Sequence, residues 1–423
     1  MSDETHEVQS IHWRQCFAFL EILRSFRMAI HPAKLFLCFV ALAATALAAV
    51  LVDQIPAPVG QTIVNGQSCY ENLRHILTDT LWGHWALPYV GSSTWDNFWS
   101  FLMAPVSAMK ELVVLGVTYW MDAPWFALVN TIICLSIWAF VGGAVTRMAA
   151  VRFAREENVP LKRALAFSCR KWPSTVSSPL IPFGVLVLLA LGVGIVTGLP
   201  LMIPYAGEIL VPLLFFLTLG MGLIMALVFV GGAFSVGLQW PTIAAEGSDS
   251  FDAISRSVAY ISSRPWRYLF YTVFSAVYGC LTFIFLKFVV FLALRITHEA
   301  VSKFTWDWAG AGDKLPRLWA VPTLANPWPV AGGEPWAATD VFGSTVIAIF
   351  VWIVIGLLVS YLFSFFFTAQ TVIYFLLRKI VDATDTEEVY TEEADEEELP
   401  LGQQAEVPVA GGDAEGQGAA EKT

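Results

Sequence analysis

The sequence is poor in charged residues, since Asp, Glu, Lys and Arg together make up only 14% of its 423 residues. A soluble globular chain carries about 25%, so this chain has too few charges to cover a surface that faces water. Hydrophobic residues make up 57% of the chain, and its mean hydropathy is +0.63. These values exclude an ordinary soluble protein and predict an integral membrane protein.

The chain also lacks a surplus of basic residues, because its net charge is −11. The segment 382–423 accounts for this charge with 14 acidic residues and one basic residue. The rest of the chain holds 23 basic and 21 acidic residues, a net charge of +2. Nucleic-acid binding needs a clustered basic surface, and this near-neutral body does not supply one. We therefore expect no nucleic-acid partner.

Motifs of catalysis and metal binding are missing as well. The six cysteines show no paired spacing typical of zinc sites, and only Cys69 is expected on the outer side, which leaves it without a disulfide partner there. There is no Gly-x-Ser-x-Gly elbow and no phosphate-binding loop. His75, Asp79 and His84 lie within ten positions, where a solvated helix face is the ordinary interpretation and a metal site the alternative. The sequence predicts a non-enzymatic protein without cofactor or metal.

Long apolar stretches are the main feature that is present, and a span needs about 20 such residues. They predict an all-α integral membrane protein with six transmembrane helices. The predicted spans are Leu35–Val52, Trp125–Thr146, two within Pro179–Trp240, Tyr268–Leu294 and Phe342–Leu377. Pro204 and Glu208 interrupt the long stretch Pro179–Trp240, which predicts a turn there. A third crossing within this stretch is the alternative, and it would reverse the orientation of everything downstream.

Lysine and arginine residues set the orientation, because cytoplasmic loops carry their excess. With the amino terminus inside, the predicted inner segments hold 17 basic residues and the outer loops 6. We therefore expect a multi-pass inner-membrane protein with both termini in the cytoplasm. It would comprise a cytoplasmic segment 1–34, a membrane domain 35–377 with outer loops 53–124 and 295–341, and an acidic tail 378–423. Ala46-Leu47-Ala48 resembles a signal-peptide cleavage site, but 34 residues before the apolar run argue against cleavage.

An amphipathic segment precedes the first, third and fifth spans, and each ends at basic residues and a proline. The apolar stripes are Cys16, Phe19, Leu20, Leu23, Phe26 and Ile30; then Leu161, Ala164, Leu165 and Ser168; then Phe251, Ile254, Val258 and Ile261. Proline disfavours helical geometry at the preceding residue, so each segment should turn into its span there. The predicted membrane-interface residues are Pro32, Trp172, Pro173, Arg264, Pro265, Trp266 and Arg267. The implied fold has three hairpins, each preceded by a cytoplasmic amphipathic helix.

The third of these segments carries a resemblance. The run Phe251-Asp252-Ala253-Ile254-Ser255-Arg256-Ser257, followed by Arg264-Pro265-Trp266-Arg267, resembles uncharacterised bacterial polytopic membrane-domain families. One of these is the membrane domain found beside some glycerophosphodiester phosphodiesterases. The resemblance covers about the central half of the chain and implies a membrane architecture but no activity. This sequence departs from it by its two large outer loops and by the lack of an attached catalytic domain.

Charges and helix breakers within the spans suggest where a substrate could bind. Lys287 lies within a predicted span, where a lysine costs about 2.5–3.5 kcal/mol at mid-bilayer. We expect its ammonium group to reach the outer interface; the alternative is a bundle-facing cation that pairs with Glu208 or Asp122 or contacts a substrate. Glycine and proline concentrate in the third and fourth spans, where close packing explains them and broken transporter helices are the alternative.

The outer loops and the acidic tail complete the functional expectations. Tryptophans in the loops suit interfacial anchoring, with a ligand-binding platform as the alternative: Trp82, Trp85, Trp95, Trp99, Trp120, Trp306, Trp308, Trp319, Trp328 and Trp336. The tail is too charged to fold alone and should project into the cytoplasm, where it could engage a basic partner. Besides the lipid bilayer, this is the expected partner. The sequence thus predicts a structural, scaffold or membrane-organising role, with a transporter or channel as the alternative.

Overall fold

The structure is a computed structural model that describes residues 18–54, 68–82, 99, 101–305, 314–323, 327–328, 338–385 and 387–390. Within these ranges the chain is almost entirely helical and contains no strand. Six of its helices are long and apolar enough to cross a membrane. The predicted all-α architecture with six helices of spanning length is therefore confirmed.

The helices follow the predicted order and are longer than the predicted spans. In chain order they are α1 (Arg24–Ala29, after a 3-10 turn Ala18–Leu23), α2 (Pro32–Asp53), α3 (Cys69–His75, continued by a π-helical turn Ile76–Thr80), α4 (Ala104–Asp122), α5 (Pro124–Arg155), α6 (Leu161–Val193, continued through a π-helical turn Gly194–Gly198 to Leu201), α7 (Ala206–Glu246), α8 (Ser250–Ser263), α9 (Pro265–Phe304), α10 (Leu315–Leu318) and α11 (Ala338–Val381). The six helices of spanning length are α2, α5, α6, α7, α9 and α11.

The predicted loop between the second and third spans, Arg147–Thr175, is wrong in extent. Helix α5 continues to Arg155 and α6 begins at Leu161, so only residues 156–160 connect them. Glu156 ends α5 in the left-handed conformation, with φ of 58°. The prediction took Arg147 as the end of a span, whereas this arginine is only 7% exposed and lies inside the bundle.

Part of the predicted outer loop 53–124 is packed into the bundle. It contains α4, which the hydropathy pattern missed because Lys110 and Glu111 interrupt its apolar run. Leu81 and Trp82, each 1% exposed, join a core cluster with residues of α9 and α11. Trp319 is also buried, at 6% exposure, so it and Trp82 are core residues rather than interfacial anchors. The predicted loop tryptophans Trp85, Trp95, Trp306, Trp308 and Trp336 lie outside the described residues.

The predicted turn into the membrane at Trp172-Pro173 is absent, because α6 runs unbroken through Pro173, Pro179 and Pro182. Pro179 has no N–H, so the carbonyl of Thr175 loses its donor within the helix. Trp240 of α7 donates its indole N–H to that carbonyl at 2.9 Å. A neighbouring helix therefore supplies the lost hydrogen bond, which is how membrane helices tolerate proline.

The other predicted breaks are confirmed. Arg264 separates α8 from α9 with φ −139° and ψ 58°, and His31 separates α1 from α2 with ψ 127°. Each stands before a proline, which disfavours the helical conformation there. The long apolar stretch is interrupted near Pro204 as predicted, where Tyr205 has φ of 64° before α7 begins at Ala206.

The buried face of α8 differs from the predicted apolar stripe. Helix α8 buries Ser250, Ala253, Ser257 and Tyr260. Phe251 of the predicted stripe is 70% exposed, and Ile254 and Val258 are half-buried. In the segment 18–29 the buried face also differs from the predicted stripe. This segment buries Ile22, Ser25, Met28 and Ala29, and it exposes Leu20 and Leu23. On α8 the buried face is mostly of small residues, which let helices approach closely. On the segment 18–29 it also contains the larger Ile22 and Met28.

One end of the bundle is densely packed; we call it the charged end and define it by Arg147, Glu246, Arg256 and Arg378. Every residue of α5 from Val141 to Ala150 is buried here. The contrasting region is the extended pair, residues 179–231 of α6 and α7. Among the side chains described there, only Gly207 and Val211 are buried. Its apolar surface on nearly all sides is typical of helices surrounded by lipid.

Candidate functional site

Glu246, the last residue of α7, lies at the centre of the charged end. Its side chain is 8% exposed, and its carboxylate lies 2.7 Å from Arg256 of α8 and 3.6 Å from Arg378 of α11. Tyr374 of α11 donates its hydroxyl to the same carboxylate. Removal of one partner from a buried ion pair costs about 3–5 kcal/mol. The network therefore joins the end of α7 to the middle of α8 and to the last turns of α11.

Two more hydrogen bonds extend this network. Arg256 donates to Asp252 at 2.9 Å, and Tyr260 donates its hydroxyl to Asp382 at 2.5 Å. The hydrogen bond to Asp252 raises the pKa of Arg256 above its ordinary value, with the charge of Glu246 contributing. Burial raises the pKa of Tyr260, and its hydrogen bond to Asp382 raises it further. Both groups therefore keep their protons near neutral pH, Arg256 as a cation and Tyr260 as a neutral donor.

The segment after α11 folds back onto the end of α7. The backbone N–H of Tyr390 donates to the carbonyl of Ala245 at 2.9 Å. Arg147 donates to the carbonyl of Tyr390 at 2.7 Å and to the carbonyl of Ala244 at 2.8 Å. The Arg147 guanidinium also lies 5.7 Å from the centre of the Tyr390 ring. One buried arginine thus ties the helix end and the returning segment together.

Further contacts fix the same segment. Arg378 donates to the carbonyl of Glu388 at 2.7 Å. Val389 is 8% exposed and belongs to the main core cluster. Gly247 follows α7 in the left-handed conformation with φ of 65°, and a Cβ there would lie 2.8 Å from the Tyr390 ring. Glycine at this position therefore permits both the helix end and the close approach of the ring. The rest of the acidic tail, from residue 391, lies outside the described residues.

These residues line an open cleft of about 660 Å³. Its basic side chains are Arg155, Arg256 and Arg378, and its acidic side chains are Glu246, Asp252, Glu387 and Glu388. The lining therefore carries charges of both signs, which suits a charged peptide segment better than a ligand of a single sign. The acidic segment 387–390 already uses the basic side of the cleft.

Lys287 of α9 is 2% exposed, so the protein surrounds its side chain. Its expected reach to the outer interface of the membrane stays a prediction. Its Nζ donates to the carbonyls of Leu81 and Trp82 at 3.3 Å each, and lies 4.7 Å from the centre of the Trp82 ring. The two carbonyls follow the π-helical turn after α3, where a helix end carries partial negative charge. The alternative partner Glu208 is exposed in the first turn of α7 and is not among these contacts.

Lys34 is a second buried lysine. Its position before the first apolar stretch had indicated an ordinary inner-segment cation. It is 1% exposed, and its Nζ lies 3.4 Å from the Thr368 hydroxyl of α11. The helical register of Lys34 could have predicted its burial. Lys34 lies on the same face of α2 as Leu37, Cys38 and Ala41, and all three are buried.

The predicted membrane-interface residues lie near helix ends, with one group inside α6. Pro32 begins α2; Arg264 and Pro265 form the junction of α8 and α9; Trp266 is 81% exposed, and Arg267 is exposed. Trp172 is 41% exposed, donates its indole N–H to the Ser136 carbonyl at 3.2 Å, and precedes Pro173 within α6. Their location at a membrane interface stays a prediction.

The histidine cluster forms no metal centre in the described part of the chain. His75 and Asp79 lie 3.6 Å apart on an exposed face, while His84 lies outside the described residues. No group of three or more His, Cys, Asp or Glu side chains comes together among the residues that the structure describes.

Comparison of the chain with protein-family models, curated proteins and solved structures gives no match. The resemblance to bacterial polytopic membrane-domain families therefore stays a prediction. Fold alone does not imply activity, so the function has to be argued from the geometry of the sites.

Proposed function

We propose that this chain is a multi-pass inner-membrane protein with both termini in the cytoplasm and the charged end on the cytoplasmic side. Its fold would be three hairpins, α2 with α5, α6 with α7 and α9 with α11, each preceded by an amphipathic segment. The 17-to-6 distribution of basic residues supports this orientation. Contact between the helices of each pair supports the hairpins, and the exposed Phe251 and Trp266 support lipid-facing segments. The resemblance to polytopic membrane-domain families is part of the same proposal.

Cysteine labelling tests the orientation. In a variant without native cysteines, Ser255→Cys lies on the exposed face of α8, and Thr305→Cys lies exposed just after α9. A membrane-impermeant maleimide should label Thr305→Cys in intact cells and Ser255→Cys only after the membrane is opened. The opposite pattern would overturn the orientation.

Within this topology the protein acts as a non-enzymatic scaffold that presents its acidic tail to a basic cytoplasmic partner. The observation that carries this function is the docking of residues 387–390 by Arg147 and Arg378. Docking fixes the point at which the tail leaves the bundle. A basic partner would compete for the carboxylates of Glu387 and Glu388, which line the cleft beside Arg378, and would thereby couple binding to release of the segment.

Proteolysis after glutamate tests this coupling in the purified full-length chain. Cleavage after Glu388 should be slow in the docked state and should accelerate when a lysine-rich peptide is added. Tyr390→Ala should accelerate it without peptide, because the ring and its contacts with Gly247 and Arg147 are lost. Phe251→Ala, on the exposed face of α8, is the control and should change nothing. A peptide that binds without changing cleavage would contradict the proposal.

A transporter or channel is the second candidate, and the π-helical turn Gly194–Gly198 favours it, since such turns are frequent at functional sites. A Cβ built at Gly194 or at Gly198 meets no atom within 4 Å, so the turn has open space beside it. Purified chain in liposomes should then conduct ions or protons, and Gly194→Leu should abolish the flux. The scaffold function predicts no flux in either protein.

A further inference from the structure

A second cavity lies between α4, α9 and α11, away from the charged cleft. Its volume is about 230 Å³, and no residue that lines it is charged. Three exposed side chains at its rim, Val106, Met109 and Phe366, are each at least 40% exposed. The cavity therefore opens sideways from the bundle, on the flank of two helices of spanning length, where the surrounding medium is lipid.

The polar lining residues lie together at one end of this cavity. Helices α9 and α11 run in opposite directions, since Thr282 meets Tyr361 and Gly279 meets Phe365. This register places Thr272 and Ser275 of α9 beside Gln370 of α11, whereas Cys280 and Leu362 lie toward the other end. Eight residues from Thr272 to Cys280 span about 12 Å at 1.5 Å per residue. The cavity is thus polar at the end nearer the charged end and apolar beyond it.

Two polar side chains of this lining, Gln370 and Thr272, each have an oxygen without a hydrogen-bond partner among the described residues. Gln370 is 7% exposed, and its unpaired atom is Oε1. Helix α7 approaches it with Gly237, where a Cβ would lie only 3.0 Å from that oxygen. Buried polar groups in proteins are almost always hydrogen-bonded, so an unpaired amide at the polar end of an open cavity points to a ligand. A hydroxyl suits either orientation of the amide, because it both donates and accepts.

The lining also restricts the class of lipid. A phosphate head group would need a cation beside it, and the lining supplies none. A volume of 230 Å³ admits part of one chain rather than a whole two-chain lipid. We propose that this cavity binds a neutral membrane lipid with a hydroxyl head, of the diacylglycerol type. Its hydroxyl bonds to Gln370, and one acyl chain lies between α4 and α9. This inference stands independently of the scaffold function.

Photo-crosslinking tests the site in the purified full-length chain. A diacylglycerol with a diazirine in one acyl chain should label peptides from 105–109 and 272–280. Unlabelled dioleoylglycerol should compete for this labelling, and phosphatidylglycerol or phosphatidylethanolamine should not. Gln370→Leu should reduce the competed labelling at least fivefold. Its thermal stability in detergent should not fall, because the change removes an unpaired buried amide.

A matched pair of variants tests the cavity without changing Gln370. Ala276→Phe places a ring in the cavity lining, whereas Val277→Phe places the same ring at the next residue, which is 37% exposed and does not line it. Labelling should be lost in the first variant and retained in the second. Equal labelling in both variants would overturn the proposal, as would equal competition by a phospholipid or labelling confined to the extended pair.

Discussion

Helices α6 and α7 take part in two regions that differ sharply. At the charged end they pack closely: the Trp240 indole bonds the Thr175 carbonyl, and Lys171 donates to the Gly247 carbonyl. In the extended pair the same helices expose nearly all of their described side chains. The two regions differ in polarity, because residues 161–178 of α6 include Lys162, Arg163, Arg170 and Lys171, whereas the extended pair is almost entirely apolar. Lipid tails are as apolar as leucine side chains, so apolar residues gain little by leaving lipid for another helix. Helix association in a membrane therefore depends on close packing and polar contacts.

The distribution of polar residues along α7 agrees with this explanation. Its last part buries Ser235, Gln239 and Thr242, which bond within α7 or to α8. From residue 206 to 231 the helix contains only Glu208 and Thr218 as polar side chains. Packing along α7 thus follows the polar residues. Gly220 and Gly222 of the extended pair meet no atom within 4 Å, so the close packing predicted for the glycines of this region is not found at these positions.

We expect the largest change in stability from substitution of Glu246, whose carboxylate lies at the centre of the charged end. Glu246→Gln removes the charge that pairs Arg256 with Arg378, and should lower the free energy of unfolding by about 3 kcal/mol. Thermal unfolding in detergent measures the change. Glu157→Gln, on the exposed connection between α5 and α6, is the control and should have little effect. Equal effects of the two changes would show that the charged end is not held by this network.

The sequence predicts those features of the fold that depend on neighbouring residues, and it fails for those that depend on contacts between distant residues. Length, hydropathy and helix breakers predicted the six spanning helices and the breaks before Pro32 and Pro265, because these features act locally. The break before Pro173 was wrong, because α6 continues through Pro173, Pro179 and Pro182. At Pro179 the Trp240 indole supplies the lost hydrogen bond to the Thr175 carbonyl. Such rescue depends on partners distant in sequence and leaves no local pattern.

The candidate sites were less predictable for the same reason. Lys287 was singled out, but its partners are backbone carbonyls of Leu81 and Trp82, and no side-chain pattern encodes a backbone carbonyl. The docking of Tyr390 joins residues 243 positions apart through Arg147. The acidic tail was predicted as a partner-seeking segment, and its own bundle supplies the first basic contacts.

Two glycines, one near the charged end and one in the extended pair, test the difference in packing between the two regions. A Cβ at Gly142 of α5 would lie 2.4 Å from the Trp240 ring, whereas a Cβ at Gly220 in the extended pair meets nothing within 4 Å. Gly142→Ala should therefore destabilise the protein by about 2 kcal/mol through overpacking. Gly220→Ala should raise stability by about 0.5–1 kcal/mol, because alanine favours the helix. Destabilisation by Gly220→Ala would mean that the extended pair packs against another surface.

The two buried lysines, Lys287 and Lys34, have different partners. Their substitution should change the free energy of unfolding less than Glu246→Gln and Gly142→Ala. Lys287→Met would leave the carbonyls of Leu81 and Trp82 without their donor, at a cost of about 1–2 kcal/mol. Lys34→Met removes a charge whose described hydrogen bond is a 3.4 Å contact with Thr368, and should be neutral or stabilising. Unfolding of both variants in the same detergent measures the difference. A large loss in Lys34→Met would indicate an anionic partner for Lys34.

The smallest expected effect concerns the apolar stripe of α8. Phe251 is 70% exposed, while Ala253 and Ser257 form the packed face, so Phe251→Ser should change the free energy of unfolding in detergent by less than about 0.5 kcal/mol. The same change should weaken contact with lipid, since it removes a large apolar group from the outward face. Tryptophan quenching at Trp266 by brominated lipid should then decrease relative to the wild type. A loss of stability as large as that of Gly142→Ala would instead place Phe251 in the protein core.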